Sequence, residues 1–222
     1  MSTARDQILG GIRKSLGRET SPSRQEAEAR LANHPRNLIP QRAHVSVEER
    51  IELFVTQATA AAASVARVGT VDAVPGAVAS FLAGHNLPQR VKLSPDTFIA
   101  GLDWDGQPTL ETDTGKAIDS DLASVTGAVA GIAETGTLML ASGTDRPTTL
   151  NFLPDNHIVV LPADRIVGVY EDGWDRVRQD GDLPRTVNFI TGPSRTGDIE
   201  QTIQLGAHGP RRLHIIVVED AA

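Results

Sequence analysis

Short apolar runs, separated by segments long enough to form helices, most constrain the fold of this chain. The clearest runs lie at residues 137–141, 157–161 and 213–218. Nearly every position in them is apolar, so both faces of such a strand are suited to burial. Buried strands joined by helix-length segments are typical of a parallel sheet with helices on its faces. The sequence therefore predicts an α/β fold with a mostly parallel sheet flanked by helices.

The first 44 residues have a different pattern, and we assign the α/β domain to residues 45–222. Residues 3–18 predict an amphipathic helix, because apolar side chains recur at helical spacing at Ile8, Leu9, Ile12 and Leu16. From Arg18 to His44, polar residues and three prolines predict an extended arm. This helix and arm are either a docking element or a frayed tail.

Local signals predict the remaining elements of the domain. A capping box at Ser46–Glu49 predicts a helix that ends near Ala66. Further helices are expected at residues 75–83, 95–102 and 171–178. Strands are expected at residues 68–71, 91–93, within 122–132, and at 137–141, 157–161, 165–169, 187–190 and 213–218.

Composition excludes several classes of protein. Cysteine is absent, so this chain forms no disulfide and binds no iron–sulfur cluster through thiolates. The net charge of -7 and the aromatic content of 4% argue against nucleic-acid binding. No run reaches about 18 apolar residues, and the first residues lack the apolar core of a signal peptide. We therefore expect a cytoplasmic protein without a membrane span. The sequence signatures of P-loop NTPases, dinucleotide-binding folds, zinc proteases and serine hydrolases are also missing.

The segment Gly131–Leu138 places a carboxylate between two apolar runs. A buried charge is costly unless it is paired or functional, which makes Glu134 a candidate catalytic residue. The next three residues offer hydroxyl groups and close backbone approach to a small anion or carboxylate, namely Thr135, Gly136 and Thr137. The same segment also suits a tight turn with Glu134 at its solvent edge, and the residue types alone favour that simpler interpretation.

Two histidines stand at junctions between a loop and a strand. His157 opens one apolar run, and His208 lies in the loop before another. A histidine in such a position can accept or donate a proton, although a lone histidine is more often structural. Together with Glu134 the two histidines have no spacing that is diagnostic of a metal site, and we predict none.

A second candidate anion site follows the run at residues 187–190. The segment Gly192–Glu200 is typical of a helix that begins after a strand. Ligands of open α/β sheets bind beyond the carboxyl ends of strands. We therefore expect a carboxylate or phosphate to bind three residues of this segment, Ser194, Arg195 and Thr196. The alternative for Arg195 is an ion pair with Asp198 or Glu200.

Four motifs in order carry a resemblance to a known family: GIAETGTL at 131–138, PDNHIVV at 154–160, GPSRTGDIE at 192–200 and LGAHGPR at 205–211. Together they resemble the LUD-domain proteins of the lactate utilization protein C type, also called the YkgG family. The opening RDQILGGIRKSL at 5–16 is similar to the N-terminal helix of that family. Gly197 departs from the pattern, because the family more often has alanine there.

The resemblance implies a fold of the type shared by ribose-phosphate isomerases and acyl-CoA transferases. It also implies a bacterial system of three components that oxidises L-lactate to pyruvate, in which iron–sulfur clusters belong to the partner subunits. This chain would be the non-iron–sulfur subunit, with no cofactor of its own, and would bind a small anionic ligand or the partners. Arg195 and the Thr–Gly backbone would hold a carboxylate, and His157 or His208 would accept a proton.

Two other functions stay open. One is a stand-alone enzyme that acts on a coenzyme A thioester or a sugar phosphate, in which Glu134 is the nucleophile. The other is an interaction module whose N-terminal helix docks partner chains. The resemblance also leaves open whether the isolated chain is catalytic.

Overall fold

A computed structural model describes residues 3–17, 24–179, 181–196 and 204–220. The chain divides into two units, Met1–Ile39 and Pro40–Ala222. In the described part of the chain, no helix has the length and apolar character needed to cross a membrane.

The first unit contains two helices, neither of which buries a side chain. The predicted first helix is confirmed as α1, Ala4–Ser15, which begins at a capping box formed by Thr3 and Asp6. A second helix, α2, Arg24–Asn33, lies within the segment that we expected to be extended. Its Arg, Gln, Glu, Ala and Leu residues are all strong helix formers, which explains the difference.

The second unit contains the predicted elements and several more, and most boundaries are shifted by a few residues. The helix that we expected to end near Ala66 ends at Ala60, and residues 64–66 belong to the strand that we expected to begin at residue 68. Its helices are α3, Val47–Ala60; α4, Val74–Gly84; α5, Thr97–Ala100; α6, Thr149–Phe152; and α7, Tyr170–Gln179. Its strands are β1, Ser64–Thr70; β2, Arg90–Leu93; β3, Glu111–Thr114; β4, Ala123–Gly127; β5, Ala130–Ile132; β6, Thr137–Ala141; β7, Asn156–Pro162; β8, Ile166–Val167; β9, Val187–Ile190; β10, Arg195–Thr196; β11, Gln204–Leu205; and β12, Arg212–Asp220. Short 3-10 helices lie at Gln41–Ala43, Val71–Ala73 and Ala163–Arg165.

The main sheet has six strands in the order β1-β12-β7-β4-β2-β3, and every pair in it is parallel. This arrangement confirms the predicted α/β fold. The central strand β7 lies between β4 and β12, so that His157 is opposite both Ser124 and Leu213. Its amino-terminal end therefore meets the starts of both neighbouring strands.

Alternate residues of the main sheet enter two different cores. One face packs with α4 and buries Val125, Ile158 and Ile216. The other face packs with Phe54 of α3 and buries Val159, Leu161 and Ile215. Side chains of a strand alternate between its faces, and here both faces are covered. This double burial is the reason the strand segments are apolar at nearly every position.

A second sheet, which the sequence did not separate from the first, has the order β8-β5-β6-β9. Its β5-β6 and β6-β9 pairs are antiparallel, and its β5-β8 pair is parallel. In β6, Leu138 and Leu140 enter the core shared with the main sheet, whereas Met139 packs on the other side with Val177 of α7. The second sheet is thus a buried layer between the main sheet and α7.

Another local prediction is wrong. Arg195 and Thr196, which we expected at a helix start, form the short strand β10 instead. Their backbone pairs in antiparallel fashion with β11, and this pairing satisfies hydrogen-bonding groups that a helix would otherwise use. The rest of the predicted helix start, residues 197–200, lies outside the described residues.

Candidate functional site

Three of the four motifs line one cavity of about 210 Å³ at the amino-terminal end of β7. We name it the histidine cavity. The motif residues in its wall are His157, Thr191, Gly192, Pro193, Ser194, Gly209 and Pro210. Thr191 immediately precedes the third motif and is counted with it. Most of the remaining wall is apolar and includes Leu213 of β12. Motifs that are far apart in the sequence therefore meet in one place.

His157 is wholly buried and is one of the polar side chains that line this cavity, together with Asn151, Thr191 and Ser194. Its Nε2 lies 2.8 Å from the hydroxyl oxygen of Thr126, and its Nδ1 has no hydrogen-bond partner among the described residues. Burial lowers the pKa of His157 from 6.5 to about 3, because the charged imidazolium is poorly solvated there. The ring is therefore neutral near pH 7, and it can form one more hydrogen bond with a ligand.

A cluster of hydroxyl groups connects the 131–138 motif to the wall of the histidine cavity. The Thr137 hydroxyl oxygen lies 2.7 Å from that of Thr135, 3.0 Å from that of Tyr170 and 2.6 Å from that of Thr191. Thr191 itself lines the cavity. The predicted hydroxyl groups thus form a network, and Thr137 is at its centre.

Glu134 is 7% exposed, so the interpretation that placed it at a solvent edge is wrong. One carboxylate oxygen lies 4.0 Å from the guanidinium of Arg42, which is 63% exposed and gives a weak ion pair. The turn after Glu134 packs tightly on the end of α3. Gly136 has a φ of +65°, and a Cβ at this position would collide with the backbone nitrogen of Ala58, so only glycine fits there. The Glu134 carboxylate is not among the groups that line the histidine cavity in the described part of the chain.

The loop at Ser194 is held by backbone contacts with the 205–211 motif. Its N–H donates to the carbonyl of Pro210 at 2.9 Å, and its own carbonyl accepts from the N–H of Gly206 at 2.9 Å. Its hydroxyl accepts from the backbone N–H of His208 at 3.3 Å. The side chain of His208 is exposed, so the contribution of this residue within the described contacts comes from its backbone.

Arg195 is exposed and donates a hydrogen bond to the backbone carbonyl of Ala61. Arg195 does not itself line the histidine cavity, but its guanidinium lies beside Gly192 of the cavity wall. A guanidinium has five N–H donors, so the contact with Ala61 leaves others available. Thr196 lies beside it in β10. The predicted alternative, an ion pair of Arg195 with Asp198 or Glu200, falls on residues outside the described ones.

A second cavity, which the sequence analysis missed as a site, has a volume of about 260 Å³ and lies at the carboxyl ends of β2 and β4. Five charged side chains line it, namely Asp96, Asp145, Arg146, Arg165 and Arg176, and we name it the arginine cavity. Arg146 and Arg165 closely follow the predicted strands at 137–141 and 157–161, although Arg165 was itself assigned to the start of the predicted strand at 165–169. Their positions after strand ends were the available signal. In the described ranges, no three His, Cys, Asp or Glu side chains come together in a way that could hold a metal ion.

Comparison with known proteins identifies the family of the second unit. Residues 51–218 match the family model of the LUD domain. Lactate utilization protein C of Bacillus licheniformis is 38% identical over 93 residues, which are 40% of this chain and 39% of that protein. An uncharacterized protein of Neisseria meningitidis serogroup B is 38% identical over 98 residues, which are 43% of this chain and 42% of that protein. The matched part therefore spans about two fifths of the length of these curated relatives.

A solved structure agrees with the fold. The crystal structure of a DUF162 family protein from Deinococcus radiodurans aligns with a TM-score of 0.59 and 28% sequence identity. The alignment covers 79% of this chain and 99% of that chain.

Proposed function

The chain belongs to the LUD domain family, and from this premise we propose that it takes part in lactate utilization as a non-iron–sulfur component. The reaction would be the oxidation of L-lactate to pyruvate, which releases two electrons and two protons. Relatives that carry the name lactate utilization protein C support this role. As the family resemblance implies, iron–sulfur partner subunits would supply the electron acceptor, since this chain has no cysteine to hold a cluster itself.

The observation that carries the proposal is the histidine cavity, where three of the four motifs meet around a neutral, incompletely bonded His157. L-lactate has a methyl group, a hydroxyl group and a carboxylate. The apolar wall at Leu213 suits the methyl group, and Nδ1 of His157 suits the hydroxyl oxygen. The remaining donors of Arg195, whose guanidinium lies beside Gly192 of the cavity wall, would bind the carboxylate.

The tautomer of His157 decides what the ring does with each ligand. When Nε2–H donates to Thr126, Nδ1 accepts a hydrogen bond from the hydroxyl group of lactate. When the Thr126 hydroxyl donates to Nε2, Nδ1–H donates to the keto oxygen of pyruvate instead. Because a pKa of about 3 makes the imidazole a weak base near pH 7, we assign His157 to hydrogen bonding and orientation.

Deletion of the gene, followed by growth on L-lactate as the carbon source, tests the role. We expect the deletion strain not to grow and the wild-type chain to restore growth. His157→Gln should restore it poorly, whereas His44→Gln, a substitution at an exposed histidine outside the cavity, should restore it fully. Normal growth of the deletion strain would refute the role in lactate utilization.

Calorimetric titration of the purified full chain with L-lactate and with pyruvate tests the site separately. We expect binding by the wild-type chain and a tenfold or greater rise in Kd for His157→Gln, since a hydrogen bond to ligand is lost. Unchanged binding by this variant, in a chain whose deletion abolishes growth, would refute the histidine cavity as the binding site and leave the role in place.

A further inference from the structure

The arginine cavity lies at the edge of the main sheet where β2 and β4 end. Its walls include Asp96, three residues after β2, and Gly127, the last residue of β4. Arg165, three residues after β7, also lines it. Parallel strands bring their carboxyl ends to one edge of a sheet, and this edge is where open α/β sheets bind ligands. The position is therefore suited to a binding site.

Two guanidinium groups in this cavity are held in place by contacts with the fold. Arg165 donates to the carbonyl of Ala128 at 3.0 Å, and its guanidinium carbon lies 5.3 Å from the centre of the Phe98 ring. Arg176, from α7, donates to the backbone carbonyl of Asp164. Each of the two hydrogen bonds uses one N–H group of five. Both arginines are thus oriented and still retain donors for a ligand.

Two other polar atoms at this cavity are buried without a hydrogen-bond partner among the described residues. One carboxylate oxygen of Asp96 accepts from the N–H of Ile99 at 3.1 Å, but its other oxygen, Oδ2, has no such partner. The Nε of Arg146 is also buried and has no hydrogen-bond partner in the described ranges, and it forms only a long ion pair with Asp145 at 3.6 Å. Buried polar groups without partners are costly, and a ligand would relieve that cost. The site thus offers a free acceptor beside free donors.

We propose that the arginine cavity binds a small anion that also carries a hydroxyl or amino group. The anionic group would contact Arg165, Arg176 and Nε of Arg146, and the hydroxyl or amino group would donate to Oδ2 of Asp96. Three arginines and two aspartates give the lining side chains a net charge of +1, which favours an anion. A hydroxy acid and the phosphate ester of an alcohol share this chemistry.

The size of the cavity limits the ligand further. Its volume of about 260 Å³ is below the roughly 300–1,000 Å³ of pockets that take drug-sized molecules. A small metabolite therefore fits better than a nucleotide or a coenzyme.

This inference goes beyond the proposed function, because the arginine cavity lies across Thr126 from the histidine cavity. The Thr126 hydroxyl contacts His157, and the next residue, Gly127, lines the arginine cavity.

Calorimetric titration of the full chain with four probes tests the inference. Glycerol 3-phosphate and L-lactate represent the two kinds of hydroxylated anion, sulfate is an anion without a donor, and glycerol is neutral. We expect at least one hydroxylated anion to bind more tightly than sulfate and glycerol not to bind. Arg176→Gln should raise the Kd of that anion at least tenfold, which corresponds to about 1.4 kcal/mol. Arg178→Gln, on the same helix but paired with Asp175, should leave it unchanged.

Several results would overturn the inference. Glycerol could bind as tightly as the anions, or neither hydroxylated anion could bind at millimolar concentration. The Arg176→Gln chain could also bind the anion as tightly as the wild-type chain does. Loss of L-lactate binding in Arg176→Gln but not in His157→Gln would support the arginine cavity. It would identify a hydroxy acid as its ligand, and it would refute the histidine cavity as the lactate site.

A second variant separates ligand contact from a structural role. In Asp96→Asn the amide oxygen can still accept the Ile99 N–H, so the local turn should persist. The variant removes a negative charge, and we expect sulfate to bind more tightly. The preferred hydroxylated anion should bind more weakly relative to sulfate than in the wild-type chain, because it loses its charged acceptor. Equal changes for both anions would show that Asp96 does not contact the donor group, and would overturn this part of the site.

Discussion

The buried imidazole of His157 should make the stability of the second unit depend on pH. Its pKa is about 3 in the folded chain, whereas an exposed histidine has a pKa near 6.5. As the pH falls below 6.5, the unfolded chain binds a proton that the folded chain does not bind, so protons favour unfolding. The stability contributed by the neutral ring is therefore complete above about pH 6.5 and is lost progressively towards pH 3.

The size of this effect follows from the two pKa values. Between pH 7 and pH 5, the imidazole of the unfolded chain becomes almost fully protonated while the folded ring stays neutral. Integration of the proton-binding difference gives a loss of about 2 kcal/mol in the free energy of unfolding. Burial also lowers the pKa of His214 to about 4, and this residue contributes a loss in the same direction. A comparison of variants is needed to separate the two.

Urea unfolding at pH 7 and pH 5, followed by circular dichroism, measures the dependence. The free energy of unfolding of the wild-type chain should fall by about 2 kcal/mol more than that of His157→Gln. His214 is present in both chains, so its contribution cancels from the difference. His44→Gln, at an exposed site, should behave like the wild type. Equal pH dependence in the wild-type and His157→Gln chains would refute the conclusion that the ring stays neutral when buried.

Two further predictions concern the turn that follows Glu134. Gly136→Ala should lower the free energy of unfolding by more than about 3 kcal/mol, since a collision with α3 is added to a left-handed backbone cost of about 1–2 kcal/mol. Gly181 also has a positive φ but has open space around it, so Gly181→Ala is the matched control in the same urea experiment. Its free energy of unfolding should fall by only about 1–2 kcal/mol. An equal fall in both variants would contradict the collision. Thr137→Val keeps the side-chain shape but removes the hydroxyl at the centre of the network, and should cost about 1–3 kcal/mol by the same assay. A Thr137→Val chain as stable as the wild type would show that the network contributes nothing to folding.

The elements that the sequence predicts well are those specified by local signals. The capping box at Ser46 opens α3, and the apolar run at 157–161 lies inside β7. The second sheet was not predicted, because β5 and β6 are short apolar strands like the others. Which strands pair depends on contacts between distant segments, such as that of Leu138 with Ile190, and no local pattern encodes those contacts.

The two cavities differ in how much of each is visible in the sequence. The histidine cavity is built from motifs that are recognisable as a set, but the sequence alone does not show that they converge. The contact between Thr137 and Thr191, for example, joins residues that are 54 positions apart. Neither Glu134 nor His208 has a side chain that lines this cavity in the described part of the chain. The reaction roles predicted for these two residues stay predictions.

The arginine cavity has no continuous motif, and the reason is physical. Arg146, Arg165 and Arg176 come from three separate segments, and each alone resembles an ordinary surface arginine. They become a site only because the fold brings the segments after β6 and β7 together with α7 at one edge of the main sheet. A charge pattern that depends on topology is invisible to a search along the chain. Arg165 follows the predicted strand at 157–161 closely, but its assignment to the start of a strand at 165–169 hid that position. The structure ends the 3-10 helix Ala163–Arg165 at this residue, three residues after β7, at the edge where the carboxyl ends of parallel strands meet.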